Sequence, residues 1–126
     1  MIRVLVVDDH PVLRAGLEAV LRTEPGFVCV ATAGDGHELL AALRHTRPDV
    51  VLLDWRLGDE DGVALCRTLR AETAPPEVVL YTASADSGLE GDATAAGAYA
   101  VIEKSANIDV LFDTLRLAAR GGRQAA

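Results

Sequence analysis

The chain has 126 residues, half of them hydrophobic and a quarter charged, which suits one globular domain with one core. Its formal net charge of −7 argues against this segment gripping nucleic acid or an anionic membrane by itself. Aromatic residues are scarce (one Trp, two Tyr, two Phe), so the core must be built from Val, Leu, Ile and Ala.

Ile2 to Val7 reads as a first strand, apolar except at Arg3, and it ends in Asp8-Asp9-His10-Pro11. Pro11 suits the first turn of a helix, and Leu13, Leu17, Val20 and Leu21 share one face of it. Glu24-Pro25-Gly26 stops that helix before a second strand, Phe27 to Thr32. The turn Gly34-Asp35-Gly36 opens a second helix, with Asp35 and Glu38 in a capping arrangement and Leu39, Leu40 and Leu43 on the buried side. Val50 to Leu53 is an unbroken apolar run, as a strand buried on both faces requires, and Asp54 stands at its end. The chain then turns through Gly58 and an acidic segment. Val63, Leu65, Cys66 and Leu69 mark a third helix to about Ala71.

Ala74-Pro75-Pro76 breaks the pattern before a fourth strand, Glu77 to Thr82. A fourth helix spans 86–96, with Leu89, Ala93 and Ala96 on one face. Gly88 and Gly91 weaken it by about 1 kcal/mol each against Ala. Gly97 closes it. Ala98 to Ile102 is a short fifth strand, and Asn107 caps a last helix carrying Ile108, Leu111, Leu115 and Ala118. Gly121-Gly122 is expected to stop that helix, leaving a domain over 1–120 and a tail or linker start over 121–126. No apolar stretch approaches a membrane span. Met1 to Val7 lacks the basic flank and cleavage site of a signal peptide. Cys29 and Cys66 lie outside any metal or redox spacing and read as buried free thiols, so the expected location is the cytoplasm.

Strands alternating with helices imply parallel pairing and right-handed crossovers, hence a three-layer α/β sandwich. In such a sheet, ligands gather beyond the carboxyl ends of the strands. Those ends carry Asp8 and Asp9, then Asp54, then Thr82, with Lys104 following the fifth strand. Taken singly, each is more often a solvated turn or a surface residue. Together, at successive strand ends, they make a site. Three carboxylates at one mouth repel by about 4 kcal/mol per close pair at ~4 Å and an effective dielectric near ~20, so the cluster needs a cation. Oxygen ligands with no His or Cys nearby favour Mg2+. A carboxylate beside Mg2+ and a lysine can attack a phosphoryl group, and Thr82 can donate a hydrogen bond to it.

With these residues in view, the sequence resembles a response-regulator receiver domain of two-component signalling. The resemblance covers essentially the whole chain. It rests on Val7-Asp8-Asp9-His10-Pro11, Asp54 with Asp61-Gly62, Thr82-Ala83, Gly97-Ala98 and Lys104. The run Asp8 to Leu17, and Lys104-Ser105 where many receivers have Lys-Pro, is similar to the NarL/FixJ subgroup. The resemblance implies a flavodoxin-like (βα)5 fold with a five-stranded parallel sheet in the order 2-1-3-4-5. It implies Asp54 as phospho-acceptor and Asp9 as a direct Mg2+ ligand, with Asp8 acting mostly through water. Asp54 and the backbone carbonyl of Arg56 complete the metal ligands. Thr82 and Lys104 contact the phosphoryl group. The implied donor is a sensor histidine kinase. The reaction is modification of the chain's own carboxylate followed by slow hydrolysis, not turnover of an external substrate. Receivers of this subgroup precede a helix-turn-helix DNA-binding domain, absent from this sequence, and dimerise through an exposed face such as that of the first and last helices.

The sequence departs from the family pattern in places. Leu57-Gly58 replaces Met-Pro after Asp54, which keeps the apolar anchor and is expected to loosen the loop. Val101 stands where the switch aromatic is usual, and Tyr99 is expected on the same side of the strand, one pleat back. The glycine-containing fourth helix is then a candidate for the mobile switching element. Arg56 and Ser84 occupy positions where such receivers tune phosphoryl lifetime; Arg56 either screens the aspartyl phosphate or lies on the surface. Trp55 is expected to pack partly on the third helix. Two rival readings are an interaction module working without phosphorylation and a haloacid-dehalogenase-type phosphatase. The second needs a carboxylate where Arg56 stands.

Overall fold

The computed structural model describes residues 1–84 and 86–125. Five strands form one parallel sheet: β1 (Ile2–Val7), β2 (Phe27–Ala33), β3 (Val50–Asp54), β4 (Glu77–Thr82) and β5 (Ala100–Glu103), in the order β2-β1-β3-β4-β5. Five helices connect and follow them: α1 (Pro11–Thr23), α2 (Gly36–Thr46), α3 (Gly62–Arg70), α4 (Ser87–Ala95) and α5 (Ile108–Ala125). This is the three-layer α/β sandwich expected from the alternation, in the flavodoxin-like strand order that the resemblance implies.

Strand alternation builds a core on each face of the sheet. Val4, Val6, Val50, Leu52 and Val79 face α1 and α5, where they meet Leu21, Leu111, Phe112 and Leu115. Leu5, Val7, Val51, Leu53, Val78 and Leu80 face Leu39 of α2, Cys66 and Leu69 of α3, and Leu89 and Ala93 of α4. Phe27 and Phe112 meet with ring centroids 5.5 Å apart, so two of the few aromatics tie β2 to α5. Cys29 and Cys66 are both free thiols, and burial pushes that of Cys66 up to about 11.

The capping residues act as the sequence suggests. Asp35 accepts from the Glu38 N–H at 2.8 Å, and Glu38 Oε1 reaches back to the Gly34 N–H at 2.7 Å. Asp61 and Asp86 cap α3 and α4 through the Val63 and Leu89 amides.

Four expectations need correction. First, β5 begins at Ala100, because Gly97 (φ +96) turns the chain and Tyr99 still belongs to that turn. Second, Tyr99 does not share the surroundings of Val101. Val101 packs into the core beneath α3 and α4, whereas the Tyr99 ring lies against Gly121 of α5. Third, α5 continues through Gly121 and Gly122 to Ala125. At Gly121 an added Cβ would stand 3.0 Å from Tyr99 Cε1, so packing against the ring uses the missing side chain and outweighs the low helix propensity of glycine. Fourth, the segment after Asp54 is not a loose loop. Arg56–Leu57 pairs antiparallel with Glu60–Asp61 around Gly58-Asp59. Gly58 has φ +60, which glycine adopts freely, and its N–H, which a proline would lack, donates to Asp9 Oδ2 at 2.9 Å.

Candidate functional site

The carboxyl ends of β1, β3 and β4 and the turn after β5 bring the site together. The first three elements are buried on both faces and therefore rigid, so their terminal side chains are held in place by the core beneath them. Asp8 is fully buried and Asp54 and Thr82 nearly so. Lys104 extends over them, with Nζ 3.1 Å from Asp54 Oδ2 and 3.6 Å from Asp8 Oδ2. Asp54 Oδ1 accepts from the Arg56 N–H at 3.3 Å. Behind Asp54, Gly62 is obligatory. A Cβ there would lie 2.5 Å from the Asp54 carbonyl oxygen and 2.8 Å from Trp55 Cα, and the Gly62 N–H donates to the Trp55 carbonyl at 2.6 Å. The Asp61-Gly62 pair thus clamps the start of α3 onto the end of β3.

The two first-strand carboxylates are held differently. Asp8 Oδ1 accepts from the His10 N–H at 2.8 Å, and the Tyr81 hydroxyl donates to Asp8 Oδ2. Burial works to raise the Asp8 pKa. Tyr81, His10 and Lys104 outweigh it and hold the group below its ordinary value. At Asp54 burial wins over Lys104, and the carboxyl is pushed above its ordinary value. Among the described residues Asp9 Oδ1 is shielded from solvent and accepts no hydrogen bond, although the exposed His10 imidazole lies 3.1 Å from it. A shielded carboxylate oxygen without a donor among other carboxylates is what a cation ligand looks like before the cation is considered. Ligand atoms of Asp8, Asp9, His10 and Asp54 all lie within 4.8 Å of one another. The residues therefore fit a divalent cation.

His10 corrects the expectation of a site without histidine. Its Nδ1 lies 3.0 Å from Asp8 Oδ1 and 3.1 Å from Asp9 Oδ1. The backbone bond from His10 to Asp8 turns the chain at the start of α1 and places the imidazole over the carboxylates. The ring remains largely exposed. A histidine directly after paired aspartates at a helix start was the available signal.

Thr82 lines the same cleft of about 380 Å3 as Asp54, Arg56, Ser84 and Lys104. Its hydroxyl is not bonded to Asp54; Oγ1 accepts from the Ser84 N–H at 3.3 Å. The Arg56 guanidinium lies over the Trp55 ring at 4.7 Å, at the exposed rim of this cleft. Trp55 itself packs against the core cluster containing Val63 of α3. Tyr81 was missed altogether. As one of only two tyrosines, and adjacent to a strand-end threonine, it was visible, but its hydroxyl partner lies 73 positions away and no local pattern points to it.

A strand-end carboxylate, a carboxylate pair and a lysine thus meet at one edge of a (βα)5 sheet. The profile of the response regulator receiver domain matches residues 4–116, so the chain belongs to that family. It is 31% identical over 121 residues to the transcriptional regulatory protein LiaR of Bacillus subtilis, covering 96% of this chain and 57% of LiaR. It is 41% identical over 111 residues to a protein-glutamate methylesterase/protein-glutamine glutaminase of Nitrosospira multiformis, covering 86% of this chain and 31% of that protein. Among solved structures, a two-component response regulator of the LuxR family from Aurantimonas sp. SI85-9A1 superposes with a TM-score of 0.88 at 29% identity, over 94% of this chain and 85% of the other. The chain thus spans about a third to somewhat over half the length of these two sequence relatives. Among the described residues, no helix is long and apolar enough to cross a membrane.

Proposed function

We propose that the chain is a phosphorylation switch in which Asp54 accepts a phosphoryl group from the phosphohistidine of a sensor histidine kinase. The observation that carries this reading is Lys104 Nζ at 3.1 Å from Asp54 Oδ2, beside a buried Asp9 oxygen that accepts no hydrogen bond among the described residues. Asp9, Asp54 and the Arg56 carbonyl would hold Mg2+, with Asp8 acting through water. The ion supplies neutralisation of charge on the transferred group. An Asp54 oxygen attacks phosphorus, the phosphorus–nitrogen bond breaks, and the imidazole leaves. Lys104 and the Arg56 N–H already face Asp54 and can follow the charge onto the phosphoryl oxygens. Thr82 donates a long 3.4 Å bond to the Ser84 carbonyl, which it can give up to donate to them. Hydrolysis later breaks the acyl phosphate and restores Asp54, so no external substrate is turned over.

The output in this reading is transcription regulation through a DNA-binding domain outside this sequence, in the cytoplasm. It is supported by the transcriptional regulators among the relatives. Val12 and Leu13 on α1 and Ile108, Val110 and Leu117 on α5 are exposed, which supports a homodimer linked to phosphorylation through that face. One observation favours a module that works without phosphorylation: Val101 and Tyr99 pack in separate places, so no aromatic stands at the usual switch position.

The test is intact mass after incubation with Mg2+ and acetyl phosphate, beside Asp54→Asn. A phosphoryl adduct on the native chain and none on the variant is expected. No adduct on the native chain, with Mg2+ bound, would transfer the proposal to the phosphorylation-independent module.

A further inference from the structure

We propose that Tyr81 is a positioning residue whose hydroxyl engages Asp8 and thereby weakens, and so tunes, the site's hold on Mg2+. This rests on reading the site as a Mg2+ site. Tyr81 is buried near the end of β4 and touches the site in three ways. Its hydroxyl donates to Asp8 Oδ2. Its ring lies under the Lys104 ammonium, 4.9 Å from Nζ. Its carbonyl accepts from the N–H of Trp55, next to Asp54, at 3.1 Å.

Both Asp8 oxygens are therefore engaged, one by Tyr81 and the other by the His10 N–H, whereas among the described residues Asp9 Oδ1 accepts no hydrogen bond and has only the exposed His10 imidazole 3.1 Å away. This asymmetry makes Asp9 the open ligand and Asp8 the restrained one. A hydrogen bond to a buried carboxylate is strong because the charge has little else to satisfy it. It stabilises the cation-free site most, where three carboxylates face only one lysine. Once a divalent cation neutralises Asp8, the same bond is worth less. Removing the hydroxyl must then raise the free site in energy more than the loaded one, and binding tightens. A residue that only filled space would leave affinity unchanged or, by loosening the site, weaken it. The ring also lines a small cavity of about 80 Å3 with Leu13, Leu17, Ile102, Lys104 and Leu111, so packing under α1 and α5 reaches the carboxylates through Tyr81 and Lys104.

The experiment is calorimetric titration of Mg2+ into the 126-residue chain, native and Tyr81→Phe, each with and without Asp8→Asn. Tyr81→Phe is expected to bind about three- to tenfold more tightly, and to change nothing in the Asp8→Asn background. Thermal unfolding gives a second reading should the variant be unstable: Mg2+ is expected to raise its Tm by more than that of the native chain. Equal or weaker affinity in Tyr81→Phe, with native binding intact, overturns this inference alone. No Mg2+ binding by the native chain overturns it together with the reading it rests on.

Discussion

Three carboxylates in one small volume do not all stabilise the fold. Asp8 has Tyr81, His10 and Lys104 around it, and its pKa is held below the ordinary 3.8. Its contribution is fully present above about pH 5 and is lost as the pH falls below 3.8 towards the lowered folded value. Asp54 is the opposite case. Its raised pKa means that ionisation costs stability in the metal-free protein, and acid relieves that cost. Without Mg2+ at neutral pH, Asp54→Asn is therefore expected to raise Tm and Asp8→Asn to lower it. Both differences should shrink near pH 3. Thermal unfolding followed by circular dichroism across this range checks the signs; two variants shifting the same way would refute the assignment. At Gly62 the contact is with backbone, which cannot give. Gly62→Ala is expected to cost about 1–3 kcal/mol in denaturant unfolding. It should also slow acetyl phosphate labelling, because Asp54 and Trp55 must move.

The helices differ in how firmly they are held. α4 fixes itself through Leu89, Ala93 and Ala96, while a Cβ at Gly91 would meet nothing within 4 Å. Gly91→Ala should accordingly stabilise the domain by about 0.5–1 kcal/mol, read as a rise in Tm. Gly121→Ala, with Tyr99 Cε1 at 3.0 Å, should bring no such gain. Few buried contacts and two internal glycines also make α4 the candidate switching element. Hydrogen exchange is expected to slow there when a phosphoryl mimic is bound; equal protection in both states would remove α4 from the mechanism. The two-residue ribbon after β3 works in the other direction. By joining Gly58 to Asp9 it couples the acceptor strand to the carboxylate pair, where a loose loop would leave them independent.

For the whole molecule, a cation held by the carboxylates would stabilise the folded state. Mg2+ at about 100 times its dissociation constant should stabilise the native chain by roughly 2.7 kcal/mol, since only the folded state assembles the carboxylates. A Tm insensitive to Mg2+ would contradict this. The negative net charge predicts that salt also raises the metal-free Tm by screening repulsion around the cluster.

Most of the framework was legible because period and punctuation are local properties. The apolar run Val50 to Leu53, the Asp35 cap and the alternation of strands and helices each follow from neighbours in sequence, and strand order then brought Asp8, Asp9, Asp54 and Thr82 to one edge. Tertiary structure alone decided what depends on distant partners. Tyr81 bonds to a residue 73 positions away, Gly58 to one 49 away, and Tyr99 lies on Gly121 from another element. No local pattern encodes those meetings. The placing of Asp54 and Lys104 at one edge is therefore readable from the chain, whereas the hydrogen bonds that hold the carboxylates and the packing that carries α5 past its glycines exist only once the sheet has closed.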